Sequence, residues 1–570
     1  MNHLSVSDII ADYLLFQGIE SVYVYPGGTI APLINSLVSV GIRIEVFKHE
    51  QGALYAALAA ARLTGRIQVA MVTSGPGVTN ALTPLADAYY DSTPLLLITG
   101  QVGTGDLLSG RSVRQRGFQE VPTDLLASVI CKKVVCPKTA DQALKALPDL
   151  LTTAVEGRPG PVVFDLPMDV QRADCDSGPL PHLVQSDAVS HELPVNLAEE
   201  VAIALSQARR PVILLGQGAL AAGAFDLYER LAVSADTFVV CSLPGLGAFP
   251  GSSERFLGYI GHTGHEAANR AVHGADFLLV LGARLDVRQT GTMVSEFVPN
   301  GRIAWVNNDP AELEFARVRI DWSIQGDAGQ FVGALLNLLP EPVSEHDRQW
   351  HSSLMQQHKA DIEDSHSPSG GAAISPKDVL RIVDGHMRDS RGVVTTGVGS
   401  HQQWAARHLT YSPDGWRLLT SAGHGAMGYD LPTAVGAAMT YPDRTVLCVA
   451  GDGSFLMNIQ ELASLAERQL NVKILLLNNH RLGIVSQFQR ITWGVDPASG
   501  DFATPDFVTI ASGFGIPASR VTARESLEEA IESFWQTKGP VLLEVHIDHD
   551  SDVVPMLLGG QTMDKMWQGY

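Results

Sequence analysis

The chain has 570 residues, too many for a single hydrophobic core, and we expect about three to four domains. Hydrophobic residues make up 45% of the chain and charged residues 18%, which is typical of a well-packed soluble protein rather than a disordered one. The formal net charge of -21 argues against nucleic acid or an anionic membrane as the main partner.

The amino-terminal segment and the cysteines indicate the cellular compartment of the protein. The first predicted helix, Ser5 to Phe16, carries Asp8 and Asp12 and is therefore not a signal peptide. No apolar run approaches about 18 residues, so the sequence predicts no membrane span. The five cysteines form no CxxC pair, which favours neither a disulfide framework nor a zinc site. We therefore expect a reducing compartment, the cytoplasm.

Short apolar runs alternate with helical patterns along the chain, which predicts an α/β fold of doubly wound parallel-sheet domains. Two segments interrupt the alternation: a stretch rich in Pro, Asp and Ser from Gln171 to Asn196, and a stretch from Pro340 to Pro376 that contains a charged helical pattern. We predict an N-terminal domain at 1–180, a central domain at 190–340, a linker at 341–375 and a C-terminal domain at 376–570.

The first and third of these domains share a faint internal repeat of strand, glycine turn, helix and strand. In the first domain the strand Gln68–Thr73 leads into a turn that contains Pro76. In the third, the strand Thr445–Ala450 leads into a turn that contains Asp452, and a helix is predicted through Ile459 to Leu470. Only the second turn therefore offers a ligand for a cation.

The turn Gly451-Asp452-Gly453-Ser454 follows a buried strand and opens a helix, where free backbone N–H groups bind anions. Asn478-Asn479 ends the next strand, and adjacent parallel strands bring their carboxyl ends together. Asp452 and Asn479 can therefore share a Mg²⁺ ion, whose other ligands would be diphosphate oxygens and water. Taken alone, the tripeptide would be an ordinary tight turn; the ordered succession of strand, turn, helix, strand and Asn-Asn favours a metal site.

This arrangement resembles the thiamine-diphosphate motif, and the rest of the chain resembles the large catalytic subunit of acetolactate synthase. The segments that match run through nearly the whole chain in family order: Tyr25-Pro26-Gly27-Gly28, His49-Glu50-Gln51-Gly52-Ala53, Ser74-Gly75-Pro76-Gly77-Val78-Thr79-Asn80, Ala88-Tyr89-Tyr90-Asp91-Ser92, Phe118-Gln119-Glu120, Gly157-Arg158-Pro159-Gly160-Pro161, Gly282-Ala283-Arg284 and Val554-Pro555-Met556.

The resemblance implies roles around thiamine diphosphate. Asp452, Asn479 and the backbone carbonyl of Arg481 would bind the metal. Glu50 matches the glutamate that hydrogen-bonds the aminopyrimidine ring and so promotes loss of the thiazolium C2 proton. A solvated turn is the alternative interpretation of Lys48-His49-Glu50, but the apolar run from Ala53 to Ala61 favours a buried helix. Further cofactor contacts are expected at Gly28, His401, Gly451, Gly453 and Ser454.

A second set of implied residues lies around the cofactor's pyrimidine ring and the substrate. Gly425 would offer its carbonyl to the ring, and Met427 would wedge between the two rings, although a methionine alone is more often core packing. Gln101 and Lys132 match residues near the reacting centre. Because these family sites form between subunits, we expect a homodimer or homotetramer, with a regulatory subunit as a further partner.

The middle domain is expected to bind FAD. The segments Gly282–Gly291 and Asn308–Glu312 resemble those that hold a structural flavin in acetolactate synthases. By that resemblance the flavin contacts are Arg158, Gly261, Arg284, Arg288 and Asp327. The same fold carries flavin in 2-oxo acid oxidases, so flavin does not by itself decide the reaction.

The sequence departs from the family near the expected substrate, whose implied contacts are Phe118, Arg288, Ile484 and Phe488. Phe488 stands where the family usually has tryptophan, and His424 replaces an apolar residue. The segment Ser109–Gly117 is basic, with arginines at 111, 114 and 116, and Pro122 replaces a common aspartate.

We therefore expect a carboligase that decarboxylates pyruvate and transfers the two-carbon unit to a second 2-oxo acid. Three alternatives remain open at this stage. The first uses the same chemistry on a larger carbonyl acceptor. The second is a simple 2-oxo acid decarboxylase with His424 as its proton donor, and the third is a flavin-dependent oxidase.

Overall fold

A computed structural model describes residues 4–108, 112–175, 195–340, 347–366, 373–495, 500–501 and 503–569. It contains three six-stranded sheets, in which every strand pair is parallel. A short antiparallel pair, Leu4–Ser5 with Asp174–Cys175, accompanies them. The predicted fold class is thus confirmed. Parts of two predicted linkers, at 176–194, 341–346 and 367–372, and residues 109–111 of the basic segment lie outside the described residues.

The first sheet gathers the strands of the N-terminal third. In sheet order the strands are Arg43–Val46, Ser21–Tyr25, Gln68–Val72, Leu95–Gln101, Pro161–Pro167 and Lys133–Val135. Numbered along the chain, this order is 2-1-3-4-6-5. The helices are Val6–Phe16, Ala31–Ser39, Glu50–Thr64, Pro76–Tyr90, Thr123–Ala127, Ala140–Val155 and Met168–Arg172, with 3₁₀ turns at Gly28–Ile30 and Thr104–Asp106.

The central sheet has a different order. Its strands are Phe256–Tyr259, Phe238–Cys241, Pro211–Leu215, Phe277–Leu281, Arg302–Asn307 and Trp322–Gln325, which is 3-2-1-4-5-6 along the chain, the order of dinucleotide-binding folds. Its helices are Val195–Gln207, Gln217–Ala222, Phe225–Ser234, Glu266–Gly274, Val287–Thr290, Pro310–Glu314 and Ala328–Leu338, with 3₁₀ turns at Leu243–Gly245 and Val294–Glu296. The helix Arg348–His366 follows and packs on Glu266–Gly274, where Asp361 accepts a hydrogen bond from Ala267 N.

The third sheet repeats the strand order of the first, 2-1-3-4-6-5. Its strands in sheet order are Trp416–Thr420, Gly392–Thr396, Thr445–Gly451, Val472–Asn478, Val541–His546 and Ala518–Val521. The helices are Pro376–Met387, Ser400–His408, Asp430–Thr440, Asp452–Met457, Leu462–Arg468, Gly483–Trp493, Phe507–Gly513 and Leu527–Gln536, with 3₁₀ turns at Ile459–Glu461 and Arg524–Ser526. The repeat seen faintly in the sequence is therefore a repeat of topology.

The central strands of the first and third sheets are buried over their whole length, as in Leu95–Gln101 and Val472–Asn478. Helices cover both faces of such sheets, and this explains why these strands are continuous apolar runs. The first and third domains share one core, in which the helix Glu50–Thr64 packs on Asp430–Thr440. Small residues permit this contact, because a side chain at Gly436 would overlap the Ala56 carbonyl.

Two local predictions need correction. The segment predicted as one helix through Ile459 to Leu470 is a 3₁₀ turn, Ile459–Glu461, followed by the α-helix Leu462–Arg468. Asn458, which precedes the turn, leaves helical geometry, and its Nδ2 donates to the Gly428 carbonyl at 2.7 Å. The start of the predicted linker at Gln171 is also structured: it completes the helix Met168–Arg172 and then the strand Asp174–Cys175.

Candidate active site

A small pocket lies at the carboxyl ends of the strands Gly392–Thr396 and Thr445–Gly451, where the strand order of the third sheet reverses. Ligands of open α/β sheets bind at such switch points. The lining residues all belong to the third domain and include most of the predicted diphosphate and metal residues: His401, Met427, Gly451, Asp452, Gly453, Ser454, Asn479, Arg481 and Ile484.

Asp452 is buried at the floor of this pocket. Its Oδ1 accepts a hydrogen bond from Gly453 N at 2.8 Å, whereas its Oδ2 is buried and accepts none from the described residues. Burial raises the pKa of Asp452 to about 6, against the smaller opposing effect of nearby backbone amides. A buried carboxylate oxygen without a donor fits a bound divalent cation.

Asn478 and Asn479, at the end of the neighbouring strand, have different surroundings. Asn478 is structural: its Nδ2 donates to Glu544 at 2.7 Å, and its Oδ1 accepts from His480 N at 3.0 Å. Asn479 and Arg481 line the pocket. The Arg481 guanidinium pairs with Asp501 at 2.6 Å, and the backbone carbonyl of Arg481 is the group predicted to bind the metal. The residue set thus fits a magnesium ion that also takes diphosphate oxygens.

The part of the pocket lined by Ser400 and His401 is suited to an anion. His401 and Ser400 are buried, and neither His401 Nε2 nor Ser400 Oγ has a hydrogen-bond partner among the described residues. Burial lowers the pKa of His401 to about 3, so the ring is neutral at physiological pH and can donate to phosphate oxygen. Gly451 permits the close approach, because a Cβ there would lie 2.7 Å from His401 Nδ1.

Met427 and Gly425 lie on the loop Ser421–Gly428, which follows the strand Trp416–Thr420. Met427 is half-buried and lines the pocket with Asp452. Gly425 has a φ of 78°, in the left-handed region that favours glycine, and its carbonyl belongs to an exposed segment. Ser454 Oγ accepts from Gly428 N at 2.9 Å and joins this loop to the turn Gly451-Asp452-Gly453-Ser454.

Glu50 begins the helix Glu50–Thr64, as predicted, and is buried. Asn80 Nδ2 donates to Glu50 Oε2 at 3.0 Å, and Gly77 leaves room for the carboxylate. This arrangement lies at the carboxyl edge of the first sheet, next to the turn after the strand Gln68–Val72. None of the described first-domain residues lines the pocket of Asp452, so the two predicted halves of the site are separate in the chain.

The other first-domain residues predicted for the site differ in their exposure and in their hydrogen-bond partners. Gly28 is exposed, and Phe118 is 85% exposed. Gln101 is buried and donates to Asp165 at 3.0 Å and to the Val121 carbonyl. Lys132 donates to the Glu156 carbonyl at 2.5 Å, and burial lowers its pKa. Gln101 and Lys132 are thus held by their own domain, and Phe118 projects from it.

A second, larger cavity of about 750 Å³ lies where the three domains meet. It opens at the switch point of the central sheet, between the strands Pro211–Leu215 and Phe277–Leu281. Arg158, Arg284, Arg288 and Asp327 line it, and Gly261 lies between two lining residues, Ile260 and His262. The residues predicted to hold FAD are thereby brought together around a single cavity.

The charges around this cavity are partly paired. Arg158 Nη1 contacts Asp309 at 3.0 Å and Glu312 at 2.7 Å, and Arg284 contacts Glu312 at 3.5 Å. Burial, and then the charge of Arg288, lowers the pKa of His262 to about 4. The cavity wall therefore carries guanidinium groups beside a neutral imidazole, a setting suited to a ligand with a diphosphate.

The departures from the expected family pattern lie in different places. The Phe488 ring lies 5.4 Å from the ring of His262 and is 37% exposed. His424 lines the large cavity, where its ring stacks on Tyr90 at 5.8 Å. Of the basic segment, Arg114 and Arg116 are exposed.

Several site residues escaped the sequence analysis. They include Asn80 beside Glu50, and Tyr90, Gln402, Gln403 and Ser421 in the large cavity. Asn80 and Tyr90 belong to motifs already recognised, and Ser421 directly follows a buried strand, so a signal existed for these three.

Among the described residues, no helix combines the length and the apolar character needed to cross a membrane.

Comparisons with known families agree with this geometry. Residues 4–127 match "Thiamine pyrophosphate enzyme, N-terminal TPP binding domain", residues 198–335 match the central domain of the same enzymes, and residues 397–545 match their C-terminal TPP binding domain. Thiamine pyrophosphate is another name for thiamine diphosphate.

Full-length relatives also match. The chain is 36% identical to the acetolactate synthase isozyme 2 large subunit of Escherichia coli, over 96% of this chain and 97% of that protein. It is 36% identical to the chloroplastic acetolactate synthase 1 of Oryza sativa, over 98% and 87%. The corresponding values for the large subunit of Parasynechococcus marenigrum are 34%, 99% and 91%. The chain therefore belongs to the acetolactate synthase large-subunit family of thiamine pyrophosphate enzymes.

Proposed function

We propose that the protein is a thiamine-diphosphate-dependent carboligase that decarboxylates pyruvate and transfers the retained two-carbon unit to a second 2-oxo acid. One observation carries the proposal: in a chain of the acetolactate synthase family, the buried Asp452 presents an unpaired carboxylate oxygen beside Asn479 in a glycine-lined switch-point pocket. Such a pocket suits a metal-bound diphosphate.

In this proposal Asp452, Asn479 and the Arg481 carbonyl hold Mg²⁺. Gly451, Gly453, Ser454 and His401 surround the diphosphate. When bound, thiamine diphosphate supplies a nucleophilic carbon and an electron sink for decarboxylation. Glu50 would hold and exchange a proton at its carboxylate, Gly425 would accept a hydrogen bond at its carbonyl oxygen, and Met427 would pack against the bound cofactor. Gly28, Gln101 and Lys132 would complete the pyrimidine and substrate side.

We further propose that a second copy of the chain completes each site, in a homodimer or homotetramer. In the domain that holds Glu50, the crossover after the strand Leu95–Gln101 displays apolar side chains to solvent: Phe118 is 85% exposed, Leu125 73% and Val129 74%. Exposed apolar clusters of this kind mark interaction surfaces. A partner's Asp452 pocket docked there would join the two halves. A regulatory subunit is a separate partner to test for, and we propose a cytoplasmic location.

We propose FAD as a structural ligand of the large cavity, held by Arg158, Gly261, Arg284, Arg288 and Asp327. The support is the strand order of the central sheet, the switch-point position and the cluster of guanidinium groups. With that assignment, the proposed domains are 1–180 for the pyrimidine, 190–340 for the flavin, a linker at 341–375 and 376–570 for the diphosphate.

For the substrate we propose contacts from Phe118, Arg288, Ile484 and Phe488. Arg288 is the cationic member and would pair with a carboxylate, while Ile484 lines the Asp452 pocket. His424, the candidate proton donor of a simple decarboxylase, stacks on Tyr90 in the wall of the large cavity instead. This position favours carboligation over release of an aldehyde.

Product analysis tests the proposal. The purified protein, supplied with thiamine diphosphate, Mg²⁺ and FAD, is given pyruvate alone and then with each of a panel of 2-oxo acids and aldehydes. We expect acetohydroxy acids, identified by mass, and no stoichiometric oxygen uptake. Acetaldehyde as the main product would support a decarboxylase, oxygen consumption equal to pyruvate loss an oxidase, and a product formed only with a larger acceptor the wider-pocket alternative.

A further inference from the structure

Two buried carboxylates of the first domain, Asp87 and Asp91, hold the third-domain loop Ser421–Gly428. They lie at the carboxyl end of the helix Pro76–Tyr90 and just after it. Asp91 Oδ1 accepts from Gly423 N at 2.8 Å, and Asp91 Oδ2 accepts from Ala422 N at 3.0 Å. One carboxylate thus receives two successive amides of the loop.

Asp87 acts through a hydroxyl group. Its Oδ1 accepts a hydrogen bond from Ser421 Oγ, and Ser421 Oγ in turn accepts hydrogen bonds from Gly425 N and Ala426 N, each at 2.9 Å. Because the hydroxyl has a single proton and uses it toward Asp87, both of its lone pairs are free for the two loop amides. Asp87 therefore fixes the loop immediately before Met427.

Asp87 and Asp91 also have partners within their own domain, the hydroxyl of Tyr55 and the guanidinium of Arg62. Tyr55 donates to Asp87 Oδ2 at 2.9 Å. Arg62 Nη1 lies 3.8 Å from Asp91 and donates to the Thr420 carbonyl at 2.8 Å, at the end of the strand that precedes the loop. A buried network with this many satisfied partners has one geometry.

The third domain holds the first in the same way. Glu461 is buried; its Oε1 accepts from Lys48 N at 3.2 Å, and its Oε2 accepts from Ser464 at 2.5 Å. Lys48 lies two residues before Glu50, and Gly52 makes room, because a side chain there would overlap the Glu461 carboxylate.

The two contacts correspond to each other in the repeated topology. Lys48 to Glu50 follow the second strand of the first sheet, Arg43–Val46, and Ser421 to Met427 follow the second strand of the third sheet, Trp416–Thr420. In each case the carboxylate comes from the crossover after the third strand of the other sheet.

We propose that Asp87, Asp91 and Glu461 are positioning residues: each holds, from the opposite domain of the same chain, the loop that carries a cofactor-facing group. Asp87 and Asp91 place Gly425 and Met427, and Glu461 places Glu50. The inference rests on the proposed function, since it assigns those loops to a thiamine site. The competing role is simple adhesion between the two domains.

The first measurement is hydrogen–deuterium exchange by mass spectrometry on the protein without thiamine diphosphate. We expect Asp87→Ala to speed exchange of the amides of Gly425 and Ala426 by at least about tenfold, since their acceptor, Ser421 Oγ, loses its anchor. Asp87→Asn keeps a carbonyl that accepts from Ser421 and should leave exchange near the native rate. Asp141→Ala, which removes an exposed carboxylate of the same domain, is the matched control.

The second measurement is the rate of proton exchange at C2 of the bound cofactor, followed by NMR. Misplacement on the order of 1 Å costs up to roughly 10²-fold, so we expect a tenfold to hundredfold slower rate in Asp87→Ala and Ser421→Ala, and recovery in Asp87→Asn. The double variant Asp87→Ala/Ser421→Ala should be no slower than either single one, because both break one chain of contacts. Glu461→Ala and Glu461→Gln form the equivalent pair for Glu50.

The outcomes separate the hypotheses. Adhesion alone predicts that Asp87→Ala lowers the thermal midpoint but keeps the native C2 rate per bound cofactor, and this result would overturn the inference. If Asp87→Ala does not fold, Ser421→Ala still decides, since a native rate in that variant has the same meaning. A native protein that binds no thiamine diphosphate at all would instead overturn the proposed function.

Discussion

The first and third domains have the same strand order but different turns after their third strands. The turn of the third domain contains a carboxylate, whereas the turn of the first contains a proline. In the first domain Gly75 has a φ of 62°, and Pro76 begins a helix that continues for 15 residues. In the third domain Asp452 is the first helical residue, and the helix ends after six residues at Met457. The proline side chain supplies neither an N–H group nor a metal ligand. Of these two turns, only the one in the third domain can therefore hold a metal-bound anion.

The loops after the second strands differ in the complementary sense. In the first domain this loop leads to the carboxylate of Glu50, and in the third domain it leads to Met427 and the open carbonyl of Gly425. In the proposed function, one topology used twice thus supplies the proton-exchanging carboxylate from the first domain and the residues that hold the metal, the diphosphate and the pyrimidine ring from the third. The comparison predicts that equivalent positions in the two domains are not interchangeable.

The largest expected effect is at the turns themselves. Asp452→Ala should abolish metal-dependent binding of thiamine diphosphate, because the buried carboxylate is the only charged ligand we assign to the ion. Isothermal titration with Mg²⁺ present, together with a thermal melt to show retained folding, measures it. Pro76→Asp is the matched control and should create no second site. Metal-dependent affinity that survives in Asp452→Ala would refute the metal assignment.

Glu50 tests the other half. Glutamine keeps the shape of the side chain and can still meet Asn80, but it cannot exchange a proton, so Glu50→Gln should slow C2 exchange by roughly 10²-fold or more. NMR of the bound cofactor after timed quenching gives the rate. Asn80→Ala should have the smaller effect, since it removes only a neutral donor to the carboxylate. An exchange rate equal to that of the native protein would place the activating group elsewhere.

The pH dependence of stability should reveal the buried carboxylate that joins the two domains. Burial is the main cause that raises the pKa of Asp87 to about 7 from an ordinary 3.8. A raised carboxyl pKa means that the contribution of Asp87 to stability is complete below pH 3.8 and is lost as the pH rises through about 7, by an amount on the order of a few kcal/mol. Asp87→Asn removes this dependence.

We therefore expect the thermal midpoint of Asp87→Asn, relative to the native protein, to be more favourable at pH 8 than at pH 5. Both proteins share Asp430 and Asp452, whose pKa values burial raises to about 6, so these groups cancel in the difference. Parallel midpoint curves for the two proteins would show that Asp87 does not titrate in this range.

The smallest effect concerns the acceptor. Phe488 of the third domain presents less apolar area than an indole, and discrimination of one methylene ranges from about 10-fold to 200-fold in a well-fitted pocket. Because Phe488 is partly exposed, we expect Phe488→Trp to raise use of 2-oxobutyrate relative to pyruvate by up to about 10-fold, at the low end of that range. Both acceptors compete in one reaction, and mass spectrometry gives the product ratio. An unchanged ratio would remove Phe488 from the acceptor pocket.

The sequence predicted the features that depend on local pattern. The strands are long apolar runs, and the turn at Asp452 follows one of them, so the α/β class, the three domains and the position of the Asp452 turn could be inferred. The interdomain contacts could not: Asp91 and Asp87 meet the Ser421–Gly428 loop across 331 to 334 residues of sequence, and no periodicity encodes such pairings. The break at Asn458 has the same origin, since its partner Gly428 lies on another loop.

The segment Tyr90–Ser92 contacts all three domains within three residues. Its Asp91 carboxylate holds the third-domain loop, the Asp91 carbonyl accepts from Gln217 of the central domain at 2.5 Å, and Ser92 Oγ accepts from Arg158 at 2.7 Å. The same segment walls the 750 Å³ cavity. If FAD binds in this cavity as proposed, ordering this wall would also order the loop of Met427. The two binding equilibria would then be linked, and each ligand would tighten the other by the same factor. A flavin that takes no part in electron transfer would then still act as an allosteric effector of thiamine binding.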